Sequence, residues 1–304
     1  MEIIRDNSKI KHKTVVALGN FDGLHKAHMR VIENCISYAE KNGCKSGVLL
    51  FSAHTLNTIN KSRAKLITDE AQKLEILEKS GIDFVYIRDF DDSFMHFTPA
   101  QFADELKEKL NPQAVCVGFD YKFGYKAAGD VDLLKELGRE RGFSVSVTDK
   151  VTVCETTVKS TEIRKLIGNG DIKEANALLG RRFSVGGNVM HGLRNGTKMG
   201  IPTANIGYDN DIILPPNGVY CGYTIVCGKQ YKSVINIGNN PTFDADKITV
   251  EAHLLDFNGD IYGQMARVEF VGKIRNDKKF AGVDLLKAQI LDDIKLARNI
   301  LQEN

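Results

Sequence analysis

The 304-residue chain changes rhythm near Arg181, and that change restricts it to a few architectures. Upstream, short apolar runs alternate with amphipathic patterns of helical period. The runs cover 14–18, 47–51, 84–87, 114–117 and 143–147. Between the first two, Ile32, Cys35, Ile36 and Ala39 recur at i, i+3, i+4 and i+7, and Gly43 supplies a stop. Thr98-Pro99-Ala100-Gln101 has the form of a capping box with proline at the first helical position. Phe102, Leu106 and Leu110 then follow every four residues, and Asp130 is placed to cap a helix through Leu137. This alternation predicts an α/β unit whose parallel sheet is covered on both faces. Two short helical patterns follow, 161–167 and 172–179, the second ending at Gly180.

Downstream, from Phe183 to Val271, Gly, Asn, Thr and Val dominate. Turn signals recur, as in Pro215-Pro216-Asn217-Gly218 and Asn258-Gly259-Asp260. Strands are predicted over 184–190, 219–226, 231–237, 248–257 and 266–271, which reads as a small antiparallel barrel or sandwich. Leu286, Ile290, Ile294, Ala297 and Leu301 form one stripe of a long closing helix, a core-packing pattern. The expected domains are therefore 1–180 and 183–304.

Composition narrows the partners. A net charge of +2 gives no bulk electrostatic case for nucleic acid or an anionic membrane. No apolar run approaches the roughly 20 residues that a membrane helix needs. The start, MEIIRDNSKIKHK, lacks the apolar segment of a signal peptide. Six scattered cysteines form neither a CxxC pair nor a zinc spacing. The expectation is a cytoplasmic protein with reduced thiols and small-molecule partners; no pattern speaks to oligomeric state.

The first chemical constellation is GNFDGLHKAH, residues 19–28, which follows the first strand and opens the first helix. Ligands of open parallel sheets bind beyond the carboxyl ends of the strands. Gly19 and Gly23 permit a tight turn and a close backbone approach. A helix N-terminus suits phosphate, and His25 and His28 can both face it, stabilising charge that grows on phosphorus. A capped turn with surface histidines is the plain alternative. Zinc fits less well, because zinc helices favour i, i+4 spacing and further ligands. Ser160 and Thr161 are hydroxyl donors at a helix start, with Arg164 one turn on. Taken alone, that set is an ordinary cap beside a surface arginine.

GNFDGLHKAH resembles the signature of the HxGH nucleotidyltransferases. In its longer form it is similar to the FMN adenylyltransferase half of bacterial bifunctional riboflavin kinase/FAD synthetases. Val117-Gly118-Phe119-Asp120-Tyr121-Lys122-Phe123-Gly124 resembles that family's G-x-D-F-x-F-G loop, and Lys159-Ser160-Thr161-Glu162-Ile163-Arg164 its S-S-T-x-I-R motif. The resemblance implies a Rossmann-like nucleotidyltransferase domain. In it His25 and His28 contact ATP phosphates, and Gly19, Asn20, Phe21, Asp22, Gly23 and Asp120 line the nucleotide site. Ser160, Thr161 and Arg164 hold phosphates from the far side, and His28 is a catalytic candidate. Three departures stand out: Ala27 replaces the second glycine of HxGH, Lys159 replaces the first serine, and Phe51-Ser52-Ala53-His54-Thr55 lacks the prolines of F-D-P-H-P.

The second half carries Val189-Met190-His191-Gly192, Gly196, then Gly200-Ile201-Pro202-Thr203-Ala204-Asn205-Ile206. Gly218-Val219-Tyr220, Asn236-Ile237-Gly238-Asn239-Asn240-Pro241-Thr242-Phe243 and Val250-Glu251-Ala252-His253 follow. This order resembles riboflavin kinase across 183–304, which implies a closed β-barrel. By that resemblance Thr203 and Asn205 bind magnesium and ATP phosphates, and Gly192, Gly200 and Pro202 belong to the nucleotide loop. Glu251 is the base that deprotonates the riboflavin 5′-hydroxyl. Alternation along a strand puts Thr203 and Asn205 on one face, and their oxygens are hard ligands suited to Mg²⁺. Singly, each of these residues is unremarkable in an alternating strand, and His191 and His253 receive no catalytic role. Lys198 stands near the position of the family's loop arginine, and Asp277 replaces the glutamate of R-x-E-x-x-F. The implied activity is ATP-dependent phosphorylation of riboflavin to FMN and adenylylation of FMN to FAD. The alternatives are a kinase with a weakened adenylyltransferase, a flavin-binding regulator, and transfer of a nucleotide to another acceptor.

Overall fold

Val15, Val16, Ala17 and Leu18 are buried on both faces of their strand, which only a sheet covered on two sides achieves. The structure, a computed structural model, describes residues 1–5, 8–52, 65–191, 200–239 and 248–302. Two units emerge from the packing: Met1–Ala64 with Thr68–Ser160, and Lys65–Ile67 with Thr161–Asn304.

The first unit is a six-stranded parallel sheet in the order β1-β4-β3-β2-β5-β6. The strands are β1 Glu2–Arg5, β2 Thr14–Leu18, β3 Lys45–Phe51, β4 Phe84–Arg88, β5 Pro112–Gly118 and β6 Ser144–Thr148. The helices are α1 Lys26–Lys41, α2 Glu70–Ser80, α3 Asp92–Met95, α4 Pro99–Leu110 and α5 Val131–Arg141. A small hairpin follows, β7 Thr152–Val153 with β8 Thr156–Thr157. Successive residues of each strand feed opposite cores. Val15, Ala17, Val48, Leu50 and Val85 pack with Val31, Ile32 and Cys35 of α1. Val16, Leu18, Leu49 and Tyr86 pack with Phe102, Leu106 and Leu110 of α4. Each such buried side chain contributes about 1.5–3 kcal/mol relative to exposure. The strand order reverses between β2 and β5, so the switch-point crevice lies beyond their carboxyl ends.

The division falls at the first residue of α6 Ser160–Asn169, so the second unit holds α6 from Thr161 on, α7 Ile172–Leu179 and, at its end, α8 Val283–Ile300. Between them stands a closed barrel in the order β10-β13-β12-β11-β14-β9. Its strands are β9 Phe183–Met190, β10 Ala204–Ile206, β11 Gly218–Val226, β12 Lys229–Asn239, β13 Ile248–Leu254 and β14 Met265–Asn276. Of the two all-β options the sequence left open, the barrel is the one formed. Ile235, Ile237, Val250, Ala252 and Phe270 fill its interior. Val219, Cys221, Tyr223 and Val234 face outward against Ala297 and Leu301 of α8. At Gly222, next to a bulge, a methyl group would lie 1.9 Å from the Glu269 carbonyl, so only glycine fits. The α6–α7 segment packs with the barrel unit; Asn176 of α7 donates to the Phe270 carbonyl at 2.9 Å and accepts from Phe183 N at 2.7 Å.

Candidate functional sites

In the first unit, the chain leaves β2 through a turn with three residues at positive φ. Phe21 (φ 46°), Gly23 (φ 83°) and Leu24 (φ 40°) all lie in the left-handed region. Two of the three carry side chains there, which costs of order 1–3 kcal/mol each and is typical of functional turns. The turn holds because its side chains are locked. Phe21 and Leu24 are buried, at 1% and 0% exposure. Gly23 N donates to Thr68 Oγ1 at 3.0 Å, and Thr68 N donates to Asp22 Oδ1 at 3.3 Å. Ser160 Oγ donates to the Asp22 carbonyl at 2.9 Å, tying the start of α6 to the turn.

His25 is the N-cap of α1, and its Nδ1 accepts from His28 N at 3.2 Å. An accepting Nδ1 fixes the tautomer with the proton on Nε2, which leaves that edge a donor. The two imidazoles stack at 3.6 Å between centroids with 15° between planes, and Phe21 meets His28 edge-on at 5.2 Å. His25 and His28 are thus one assembly at a helix N-terminus, not independent surface groups. Asn20 is exposed on the rim, while the Phe21 ring is spent on packing, so only its main chain is left to meet a ligand.

Asp120 follows β5, across the switch point from the turn. Its Oδ2 accepts from Lys159 Nζ at 2.7 Å, and that ammonium lies 5.4 Å from the Phe119 ring centroid. The lysine that departs from S-S-T-x-I-R is therefore paired with another motif residue. Thr161 and Arg164 continue α6, and Arg164 Nε donates to the Lys65 carbonyl at 2.7 Å. Sequence reasoning missed one feature here. Phe51, Phe90, Phe94 and Phe97 form a chain of ring contacts at 5.0–5.5 Å beyond β3 and β4. Tyr121 packs beside that core, and burial pushes its hydroxyl far above the usual range. Strand order, not spacing, assembles them.

In the second unit, Thr203 stands immediately before β10 and Asn205 within it. Asn205 is directly opposite Glu251 of β13, and Glu251 is directly opposite Asn236 of β12. Thr203 Oγ1 donates to Glu251 Oε2 at 3.4 Å. The sequence-predicted trio is brought together, with Asn236, to which motif order gives no role, as a neighbour. Burial pushes the Glu251 carboxyl above its ordinary value, against a smaller lowering from Thr203. These residues alternate with Ala204, Ile235, Ile237, Val250 and Ala252, which are buried inside the barrel, so the row lies on its outer face. His253 Nδ1 lies 2.7 Å from the Pro202 carbonyl and braces the loop before β10. A cavity of about 480 Å³ adjoins Thr203, lined by Val189, Pro202, Phe257, Ile261 and Tyr262 among others. Gly200 is exposed at φ 77° and Pro202 is exposed beside it, whereas Gly192, Gly196, Lys198 and residues 53–55 and 240–243 lie outside the described residues. Among the described residues no cluster of three His, Cys, Asp or Glu side chains could hold a metal by itself. None of the described helices is long and apolar enough to cross a membrane.

Two stacked imidazoles at a helix N-terminus in one unit, and a half-buried carboxylate beside a threonine and two asparagines in the other, are two separate polar clusters, the arrangement of a transferase with two sites. Residues 7–162 match the family model described as FAD synthetase, and residues 179–301 match that described as riboflavin kinase. The bifunctional riboflavin kinase/FMN adenylyltransferase of Bacillus subtilis (strain 168) is 34% identical, over 92% of this chain and 90% of that protein. The protein of the same description from Listeria monocytogenes is 36% identical, over 92% and 90%. A crystal structure described as a macrolide-efflux protein from Streptococcus pneumoniae shares the fold with a TM-score of 0.89 and 29% identity, over 98% of this chain and 99% of that one. The chain belongs to the bifunctional riboflavin kinase/FMN adenylyltransferase family.

Proposed function

We propose that residues 183–304 phosphorylate riboflavin to FMN and that residues 1–180 adenylylate FMN to FAD, each with its own ATP. The observation that carries the reading is the Thr203–Glu251–Asn205 cluster: a carboxylate of raised proton affinity beside two hard oxygen donors. Phosphoryl transfer asks for positioning, charge neutralisation and one base. Glu251 takes the proton of the riboflavin 5′-hydroxyl as its oxygen bonds to the γ-phosphorus and the bond to the ADP oxygen breaks. The cavity beside Thr203, with Phe257, Ile261 and Tyr262 in its wall, has the size and apolar character for the adenosine part of ATP. Thr203 Oγ1 and Asn205 Oδ1 would hold Mg²⁺, and so few protein ligands suit an ion that keeps waters and binds substrate phosphates. That ion supplies neutralisation of phosphate charge when bound.

In the adenylyltransferase, an FMN phosphate oxygen attacks the α-phosphorus of ATP and pyrophosphate leaves. The Nε2–H of His25 and the ring of His28 face the charge that develops, and no protein base is needed for an ionised phosphate. The phenylalanine cluster beyond β3 and β4 offers aromatic surface for the flavin ring. A second reading, kinase activity with a weakened adenylyltransferase, draws on the Lys159–Asp120 pair and on Ala27. Incubation with riboflavin, ATP and magnesium, followed by separation of the flavins, tests both. FMN and FAD together support the proposal, FMN alone supports the second reading, and unchanged riboflavin contradicts both.

A further inference from the structure

We propose that Asn236 is an acceptor-binding residue of the kinase site, its side-chain amide receiving a hydroxyl of the polyol substrate; this rests on the kinase reading above. Glu251 sits in a rung of three opposed residues, with Asn205 on the β10 side and Asn236 on the β12 side. The β10 side is the donor side. Thr203 bonds Glu251 there, and Pro202 and Thr203 also line the cavity walled by residues 257–262. A base must come within about 2.6–3.2 Å of the hydroxyl it deprotonates. With one flank of the carboxylate given to the phosphoryl donor, the acceptor hydroxyl meets the other flank. Directly opposed residues on neighbouring strands hold their Cβ atoms about 4.5–5.5 Å apart, so a group there is within reach of Asn236.

Three features of Asn236 fit that role. It is half-buried, and no hydrogen bond joins its side chain to another described residue, so the amide is not spent on holding the barrel together. Gly238, two residues along the same face, carries no side chain. A methyl there would lie 3.4 Å from Asn236 Nδ2, so the glycine leaves the ground beside the amide open. In the other direction Val234 packs with Ala297 and Leu301, an apolar wall at the end of the rung. An amide both donates and accepts, which matches a chain of hydroxyls that do the same. A carboxylate at this position would instead repel Glu251 and the incoming phosphates.

The test is steady-state kinetics on the full chain. Asn236→Ala should raise the KM for riboflavin by about tenfold, the usual effect of one lost hydrogen bond that leaves its partner unsatisfied. The KM for ATP and the rate of FMN-to-FAD conversion should stay within about twofold of the parent, and Asn236→Ser should recover part of the loss. If Asn236→Ala lowers the unfolding midpoint, Asn236→Leu, which keeps the shape of the side chain and removes its polar atoms, is judged by the same criterion. A riboflavin KM within about twofold of the parent in the folded variant overturns the proposal. So does a shift of the acid limb of the pH profile with KM unchanged, because Asn236 would then act by orienting Glu251. A parent chain that makes no FMN at all contradicts the kinase reading itself, not this assignment within it.

Discussion

Glu251 shows how one residue's environment sets its chemistry. Burial holds its carboxyl above the ordinary range, and the Thr203 hydroxyl only partly offsets this. As the proposed base, Glu251 would work deprotonated, so riboflavin phosphorylation should fall on acidification at a higher pH than the ordinary glutamate value of about 4.3. Linkage gives the opposite sign for stability. A raised carboxyl binds its proton more tightly in the folded state, so its contribution is greatest at low pH and is lost as pH rises through the folded value. The pH–rate profile for FMN formation checks the first point. An acid limb at or below the free-glutamate value contradicts the assignment. At this scale motif order singles out Glu251, Thr203 and Asn205, which the fold brings side by side, and His25 and His28, which it stacks as a pair; their roles remain the proposal. What was not legible is partnership across strands. Lys159 stands out in the sequence only as a departure from S-S-T-x-I-R, and its pairing with Asp120, 39 positions earlier, requires two loops of the first unit to meet. The same holds for the Phe21 ring, which packs beneath the turn.

Elements repeat the lesson in another form. The capping box at Thr98–Gln101 forms as its four residues dictate, with both reciprocal hydrogen bonds present. β1 and α2 were not read from the sequence. β1 is an edge strand with no buried residue, and α2 buries only Gln72 and Leu77 along its length, so neither shows a strong period. The strand expected over 248–257 ends at Leu254, and Asp256 then turns at φ 59°. At the closing helix, Ile294, Ala297 and Leu301 of the predicted stripe pack on the barrel, while Leu286 and Ile290 are only half-buried, and the firmest anchor is polar. Asp293, 3% exposed, accepts from Arg275 Nε at 3.0 Å on both oxygens and from Nη2 at 2.9 Å, and Gln289 adds a bond at 3.1 Å. Removing one partner of a buried pair leaves the other charge uncompensated, at a cost of about 3–5 kcal/mol. Asp293→Ala should therefore destabilise the barrel unit by roughly 3 kcal/mol, seen as a lower urea midpoint. A loss below about 0.5 kcal/mol contradicts this account of how α8 is held.

The whole molecule is two units, each with its own core and its own polar cluster. The change of rhythm near Arg181 foretold a two-part chain and the class of each part, because period-2 and period-3.6 patterns are local. Residues 161–179 pack with the barrel unit, although Thr161 and Arg164 share with Ser160 the motif that resembles the adenylyltransferase's. Long-range packing of that kind leaves no trace in local periodicity.

Two chemistries on two sites is the central claim, and a reciprocal pair of variants tests it most directly. The rates of riboflavin-to-FMN and FMN-to-FAD conversion are measured separately for Glu251→Gln and His28→Ala in the full chain. The account predicts that Glu251→Gln suppresses the first conversion by about a hundredfold or more while the second persists, and that His28→Ala does the reverse. Loss of both conversions in either folded variant, or loss of neither, would contradict it.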